Sequence, residues 1–189
     1  MSKVKNFTDD YKGKLVHQIN KIDFKTIEEV IFELNNASKK KHKVYVIGNG
    51  GSAATASHIV NDFGAGLRRR RLLNLDICSL SDNSSTITAL SNDIGYDNIY
   101  YEQLHGILRT NDLLIAISCS GNSNNIVKAV KYAKEVGAKI IGLTGFDGGE
   151  LKLLSDINYH IETDKGEYGV VEDLHMIFDH LIYSYYTNI

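Results

Sequence analysis

KVYVIGNGGSAATASHIVND, residues Lys43 to Asp62, decides the fold. Val44 to Ile47 is a short apolar run of strand length, rich in β-branched residues. Gly48-Asn49-Gly50-Gly51-Ser52 then demands a turn, and an alanine-rich helix follows. Strand, glycine turn and helix in that order aim backbone N–H groups and the positive end of a helix dipole at one spot, which suits an anion such as a phosphate. On the helix, His58 and Asp62 are four residues apart and therefore share a face.

Upstream, Tyr11, Leu15, Ile19 and Ile22 recur at three or four, and Ile27, Val30, Ile31 and Leu34 do so again after a restart at Asp23. This predicts two helices, or one broken helix, over residues 8–40. Downstream, apolar runs at Leu75 to Leu80, Leu113 to Ile117, Lys139 to Leu143 and Ile157 to Ile161 read as strands. Helical stretches run from Ser85 to Ser91, Ile99 to Leu108, Asn125 to Val136 and Val170 to Tyr186. Strands alternating with helices and ending in Gly/Ser turns predict an α/β fold: a doubly wound parallel sheet of about five strands, flavodoxin-like, with N-terminal helices. One domain is expected, with residues 1–40 as a helical segment and 41–189 as the α/β core. Ligands of such sheets collect at the carboxyl ends of the strands.

The bulk numbers narrow the classes. A chain of 189 residues with 43% hydrophobic and 23% charged residues is ordinary for a globular protein. A net charge of -2 and a pI near 6.4 argue against nucleic acid as the main partner. Arg68 to Arg71 is the one basic run and reads as a solvated loop or helix end. Cys78 and Cys119 lack metal-ligand spacing and read as reduced, buried thiols. With no apolar run of membrane-span length and no signal-peptide pattern in Met1 to Phe24, the expected location is the cytoplasm.

A second turn, Ser118-Cys119-Ser120-Gly121-Asn122-Ser123, follows the third strand and precedes another helix. Its three hydroxyls and its free N–H groups can surround the phosphate of a small ligand. A rival reading takes Gly48 to Ala53 as GxGxxA, the loose dinucleotide fingerprint, with Asp76 on a ribose. A dinucleotide site has no need of the serine turn.

Taken together, GNGGSA at Gly48 to Ala53, NDxG at Asn92 to Gly95, ISxSGNS at Ile117 to Ser123 and GLTGxDGG at Gly142 to Gly149 resemble the sugar isomerase (SIS) fold. Within it the chain is most similar to the phosphoheptose isomerases. The resemblance implies aldose–ketose isomerisation of a phosphosugar, sedoheptulose 7-phosphate to D-glycero-D-manno-heptose 7-phosphate. It implies substrate contacts from Asn49, Gly50, Gly51, Ser52 and Asp93, with Ser118, Cys119, Ser120 and Ser123 on the phosphate. It implies one zinc ion held by His58, Asp62, Glu172 and His180, with Asp62, Glu172 and His180 as the acid–base groups and Glu172 also facing the substrate. A homotetramer with sites at subunit interfaces is implied too. Alternatives are an isomerase of another sugar phosphate, or a non-catalytic SIS protein that binds a phosphosugar and regulates.

Three side chains depart from the family pattern, and the family's common basic residue just before Glu172 is absent, Gly169, Val170 and Val171 standing there instead. Cys119 stands for a usual threonine, Asp62 for a glutamate and Glu172 for a glutamine. Asp62 keeps the carboxylate but loses roughly 1.5 Å of reach. Glu172 and His180 are eight residues apart, about 12 Å along a straight helix. Either that helix is irregular or one of the two comes from another subunit. His175 and Asp179 read as spacers or partners, and Tyr183, Tyr185 and Tyr186 as packing.

Overall fold

The computed structural model describes residues 2–189. Its centre is a parallel sheet of β1 (Lys43–Gly48), β2 (Asp76–Ser79), β3 (Leu113–Ser118), β4 (Lys139–Gly145) and β5 (Ile157–Ile161), in the order β2-β1-β3-β4-β5. Strand order reverses at β1, which has β2 on one side and β3 on the other. The crevice of a doubly wound sheet opens at that reversal, beyond the strands' carboxyl ends.

The helices are α1 (Lys3–Ile19), α2 (Phe24–Lys40), α3 (Gly51–Ile59), α4 (Leu67–Arg69), α5 (Ser84–Ile94), α6 (Ile99–Leu104), α7 (Asn124–Val136), α8 (Gly149–Leu154) and α9 (Tyr168–Asn188). They cover both faces of the sheet, so the central strands are apolar on both sides. Val44, Val46, Leu113, Ile115, Ile117, Ile141 and Leu143 form one core with Leu34, Ile59, Phe63, Leu174 and Phe178 from α2, the segment after β1, and α9. Tyr45, Ile47, Leu114, Ala116 and Ile140 form the other with Leu104, Ile126, Val130 and Leu151 from α6, α7 and α8.

The break between α1 and α2 falls at Asp23, whose carboxylate accepts from the Lys25 N–H at 3.1 Å and from Thr26 Oγ1 at 3.3 Å. α1 begins at Lys3, earlier than the residues 8–40 expected, and Val4 and Phe7 of its first turns continue the spacing of Tyr11 and Leu15 although both are exposed. It is tied down by Tyr11 donating to Asp173 at 2.7 Å and Gln18 donating to the Glu162 carbonyl at 2.6 Å. The amphipathic stretch expected to reach Leu108 stops helically at Leu104, and Gly106 then takes a positive φ of 76°.

The helix after the glycine turn is not uniformly α. After α3 the chain widens into a π-helical segment, Val60–Gly66, before α4 resumes. Wide turns of this kind are rare and concentrate at functional sites. Two glycines admit its close packing: a Cβ at Gly64 would lie 2.9 Å from Ile77 Cγ2, and one at Gly66 3.0 Å from Tyr183 Cε2. The basic run beyond it is partly structural. Arg68 donates to the Leu75 carbonyl at 2.7 Å, and Arg70 sits over the Tyr183 ring. Among the described residues no helix is long and apolar enough to cross a membrane.

Candidate functional site

β1 ends at Gly48, and Gly50, at a φ of 53°, turns the chain into α3. Gly51 matters for a different reason, since a Cβ there would overlap the Glu172 carboxylate. The Glu172 carboxylate of α9 thus packs directly against the backbone of the first turn of α3. β3 ends in the neighbouring serine turn. Ser118 Oγ accepts from the Gly121 N–H at 3.1 Å and lies 3.4 Å from Ser123 Oγ, while Ser120 Oγ accepts from the Asn122 N–H at 3.2 Å. Ser123 occupies the N-cap of α7 but makes no capping bond with its side chain, which leaves that hydroxyl available beside the helix N-terminus.

Between the turns lies an open cavity of about 160 Å³ lined by Asn49, Ser52, Ser118, Cys119, Ser120, Ser123, Tyr168 and Glu172. Burial pushes the Cys119 thiol up to about 11, and the Glu172 carboxylate adds to the effect. The thiol is therefore neutral near pH 7. The cavity offers hydroxyls, a helix N-terminus and one carboxylate on its far wall.

A second group lies where α3 and the π segment face α9. Ligand atoms of His58, Asp62, Asp179 and His180 all fall within 4.8 Å of one another. His58 Nε2 is 3.2 Å from His180 Nε2, 3.4 Å from Asp179 Oδ2 and 3.6 Å from Asp62 Oδ2. Asp179 is fully buried, and among the described residues neither of its carboxylate oxygens has a hydrogen-bond partner. Burial, then the Asp62 charge, push its carboxyl up to about 7. An orphaned buried carboxylate facing imidazole nitrogens and a second carboxylate fits a divalent cation, because two nitrogens and two carboxylate oxygens are an accepted zinc set.

Asn49, Ser52, Ser118, Cys119, Ser120, Ser123 and Glu172 all line the cavity, with Gly50 and Gly51 forming the backbone of its glycine turn. His58, Asp62 and His180 come together as one group. Glu172 is not a member of that group in the single chain. It stands two helical turns before Asp179, which occupies the fourth position instead. Asp93 is exposed at the end of α5, where it accepts from the Asn92 amide at 2.9 Å, and it does not line the cavity.

Asp179 was legible only weakly: it is a carboxylate between Phe178 and His180 on a largely apolar helix, and a buried charge needs a partner. Tyr96 and Asn125 gave no such signal. Tyr96 donates to Asn49 Oδ1 at 2.8 Å, and Asn125 exchanges two 2.9 Å hydrogen bonds with the Asn49 amide.

Residues 7–145 match the SIS domain family. The phosphoheptose isomerase of Aliarcobacter butzleri is 37% identical over 165 residues, covering 84% of this chain and 86% of the relative. That of Nitratiruptor sp. is 35% identical over 180 residues, covering 92% and 94%. Among solved structures, a phosphoheptose isomerase from Neisseria gonorrhoeae superposes with a TM-score of 0.85 at 25% identity, over 100% of both chains.

Proposed function

Because this chain belongs to the SIS domain family and is an isomerase, we propose that it interconverts sedoheptulose 7-phosphate and D-glycero-D-manno-heptose 7-phosphate. The observation that carries the reading is the pairing of two sites that share α3 and α9: a cavity closed by the hydroxyl-lined turn at the carboxyl end of β3, and a histidine–carboxylate group where the segment after β1 meets α9. The first is suited to a phosphate and the second to proton transfer.

Aldose–ketose isomerisation moves a proton between adjacent carbons through an enediol(ate). It needs a base over the carbon, an acid near the oxygens and stabilisation of the developing charge. In this reading Ser118, Ser120 and Ser123, with the N-terminus of α7, hold the phosphate and orient the chain of the sugar. Cys119 fills the wall as a neutral thiol. Glu172 faces the bound sugar from across the cavity and is the candidate to take the proton from carbon, with Asp62 as the alternative carboxylate. His180, 3.2 Å from His58, is the candidate to hand a proton to and from the oxygens.

His58, Asp62, Asp179 and His180 would hold a zinc ion. Bound there, zinc would polarise a carbonyl oxygen and stabilise negative charge on it. Glu172 is assigned to the substrate because Asp179, one turn after His175, completes the set. We further read the protein as a cytoplasmic homotetramer with Asp93 reaching a neighbouring site. Exposed Val4, Phe7, Phe24 and Phe32 on α1 and α2 supply apolar surface for such contacts.

The test is incubation with sedoheptulose 7-phosphate, with and without added zinc, following appearance of the aldose. Turnover that rises with zinc supports the reading. Absence of turnover from metal-loaded protein overturns the substrate assignment.

A further inference from the structure

We propose that Asn49 is locked by Tyr96 and Asn125 into one amide orientation, so that it offers the cavity a hydrogen-bond donor and no acceptor. The inference rests on reading that cavity as the sugar-phosphate site. Side-chain amides are nearly symmetric, so their orientation must be argued from their partners. Here one partner is unambiguous. The backbone N–H of Ile126 meets Asn125 Oδ1 at 2.9 Å, and a backbone N–H can only donate. That atom of Asn125 is therefore the oxygen, and the other is the NH₂.

The consequence passes to Asn49. The two amides face each other through a pair of 2.9 Å bonds, so Asn49 Nδ2 must donate to Asn125 Oδ1 while Asn49 Oδ1 accepts from Asn125 Nδ2. Asn49 Oδ1 also accepts from the Tyr96 hydroxyl at 2.8 Å. Tyr100 stands 3.3 Å from the same oxygen, but its hydroxyl has a closer acceptor in the Gly48 carbonyl. A carbonyl oxygen has two lone pairs, and Asn125 and Tyr96 occupy both. One Nδ2–H of Asn49 remains, on a residue that lines the cavity.

Reversing the Asn49 amide would set NH₂ against NH₂ and oxygen against oxygen beside Asn125, which is only 1% exposed. Unmatched polar groups in such surroundings are costly, so the orientation holds before any ligand arrives. The ligand atom opposite Asn49 must then be an acceptor oxygen: a carbonyl or enediolate oxygen, or an oxygen of the phosphate. Tyr96 and Asn125 are positioning residues, since they act through Asn49. Asn125 also lies in the first turn of α7, directly behind the serine turn. The amide pair therefore holds the glycine turn and the serine turn at a set separation.

Two measurements test this in the whole protein. In the unliganded protein, side-chain amide NMR should show the hydrogen-bonded Asn49 proton exchanging slowly with water, and faster in Tyr96→Phe. Tyr96 is 50% exposed, so losing its hydroxyl leaves packing intact. Solvent-rate exchange in the wild type, or no change in Tyr96→Phe, overturns the lock, whatever the protein's substrate. With sedoheptulose 7-phosphate, Tyr96→Phe should lower kcat/KM by about threefold to tenfold, the value of one hydrogen bond. Asn49→Asp, which exchanges the donor for an acceptor, should lose at least as much as Asn49→Ala.

Loss in kcat identifies the partner as the oxygen on which charge develops, and loss in KM alone as a phosphate oxygen. Wild-type kcat/KM in Asn49→Asp overturns the donor role. If the wild type binds the phosphosugar without turning it over, the same variants are compared by its dissociation constant, and only the isomerase reading fails.

Discussion

His58 Nε2 and His180 Nε2 face each other at 3.2 Å across 122 residues of chain. Two imidazole nitrogens at that distance can share one proton or one cation, but two protonated rings would repel. Behind them the buried oxygens of Asp179 lack any other partner among the described residues. The group is arranged for a positive charge at its centre.

Zinc should therefore raise the melting temperature of chelator-treated protein, by the equivalent of about 2.7 kcal/mol when free zinc is a hundred times its dissociation constant. Asp179→Ala and His180→Ala should abolish the shift, whereas Glu172→Gln should retain it. Metal analysis of the purified variants checks the stoichiometry. Loss of zinc in Glu172→Gln with retention in Asp179→Ala would return Glu172 to the ligand set.

Phosphate grip and chemistry should separate by mutation. Ser120→Ala removes a hydroxyl facing an anion and should weaken phosphosugar binding by about tenfold or more. Asp62→Asn should leave binding nearly unchanged while lowering kcat by about a hundredfold. Calorimetric titration beside steady-state kinetics distinguishes the two, and the opposite pattern would mean that the phosphate lies elsewhere.

Gly121 is bound to its place by geometry. Its φ is 64°, and a Cβ would run into the Gly148 carbonyl, whose neighbour Leu151 donates its N–H to the Gly121 carbonyl at 2.9 Å. Gly121→Ala should cost about 2 kcal/mol or more of stability and should disorder the serine turn. Urea denaturation measures the first effect and phosphosugar affinity the second.

Acid stability should report His175. Its Nε2 lies 3.3 Å from the Thr144 carbonyl, and burial holds the imidazole down at about 4, against an ordinary value of 6.5. Between those values the unfolded chain binds more protons than the folded one. The stabilising contribution is complete above pH 6.5 and is lost progressively as pH falls to 4, at most about 3 kcal/mol. His175→Gln should flatten the dependence of the urea midpoint on pH in that window. An unchanged slope would place the titrating group elsewhere.

Much of the architecture could be read from local pattern. β1, β3 and β4 are buried on both faces, so they appear as unbroken apolar runs, and Asp23 announces a helix start through its own side chain. The glycine and serine turns carry their chemistry in contiguous residues. What escaped the sequence lies between elements. The π segment reads VNDFGAG, whose two glycines, Asn61 and Asp62 weaken an α-helix without specifying a wide turn, and its contacts with Ile77 and Tyr183 lie outside any local window. Asp179 could be read as a spacer because helical spacing alone does not say which face finds a partner. Tyr96 and Asn125 reach Asn49 across 47 and 76 residues, and no window of sequence contains either pair.

The π-helical Val60–Gly66 has one further consequence. A helix advances about 100° per residue, so a single residue added or removed swings everything after it by that angle. Such a segment acts as a vernier between His58, which precedes it, and Arg68 and Arg70, which follow it. A π turn takes up one extra residue, so deleting Ala65 would let the segment close to ordinary pitch while Arg68 and Arg70 keep facing Leu75 and Tyr183. The wide turn thus absorbs a change of one residue between His58 and Arg68 while the contact of Arg70 with Tyr183 of α9 is kept.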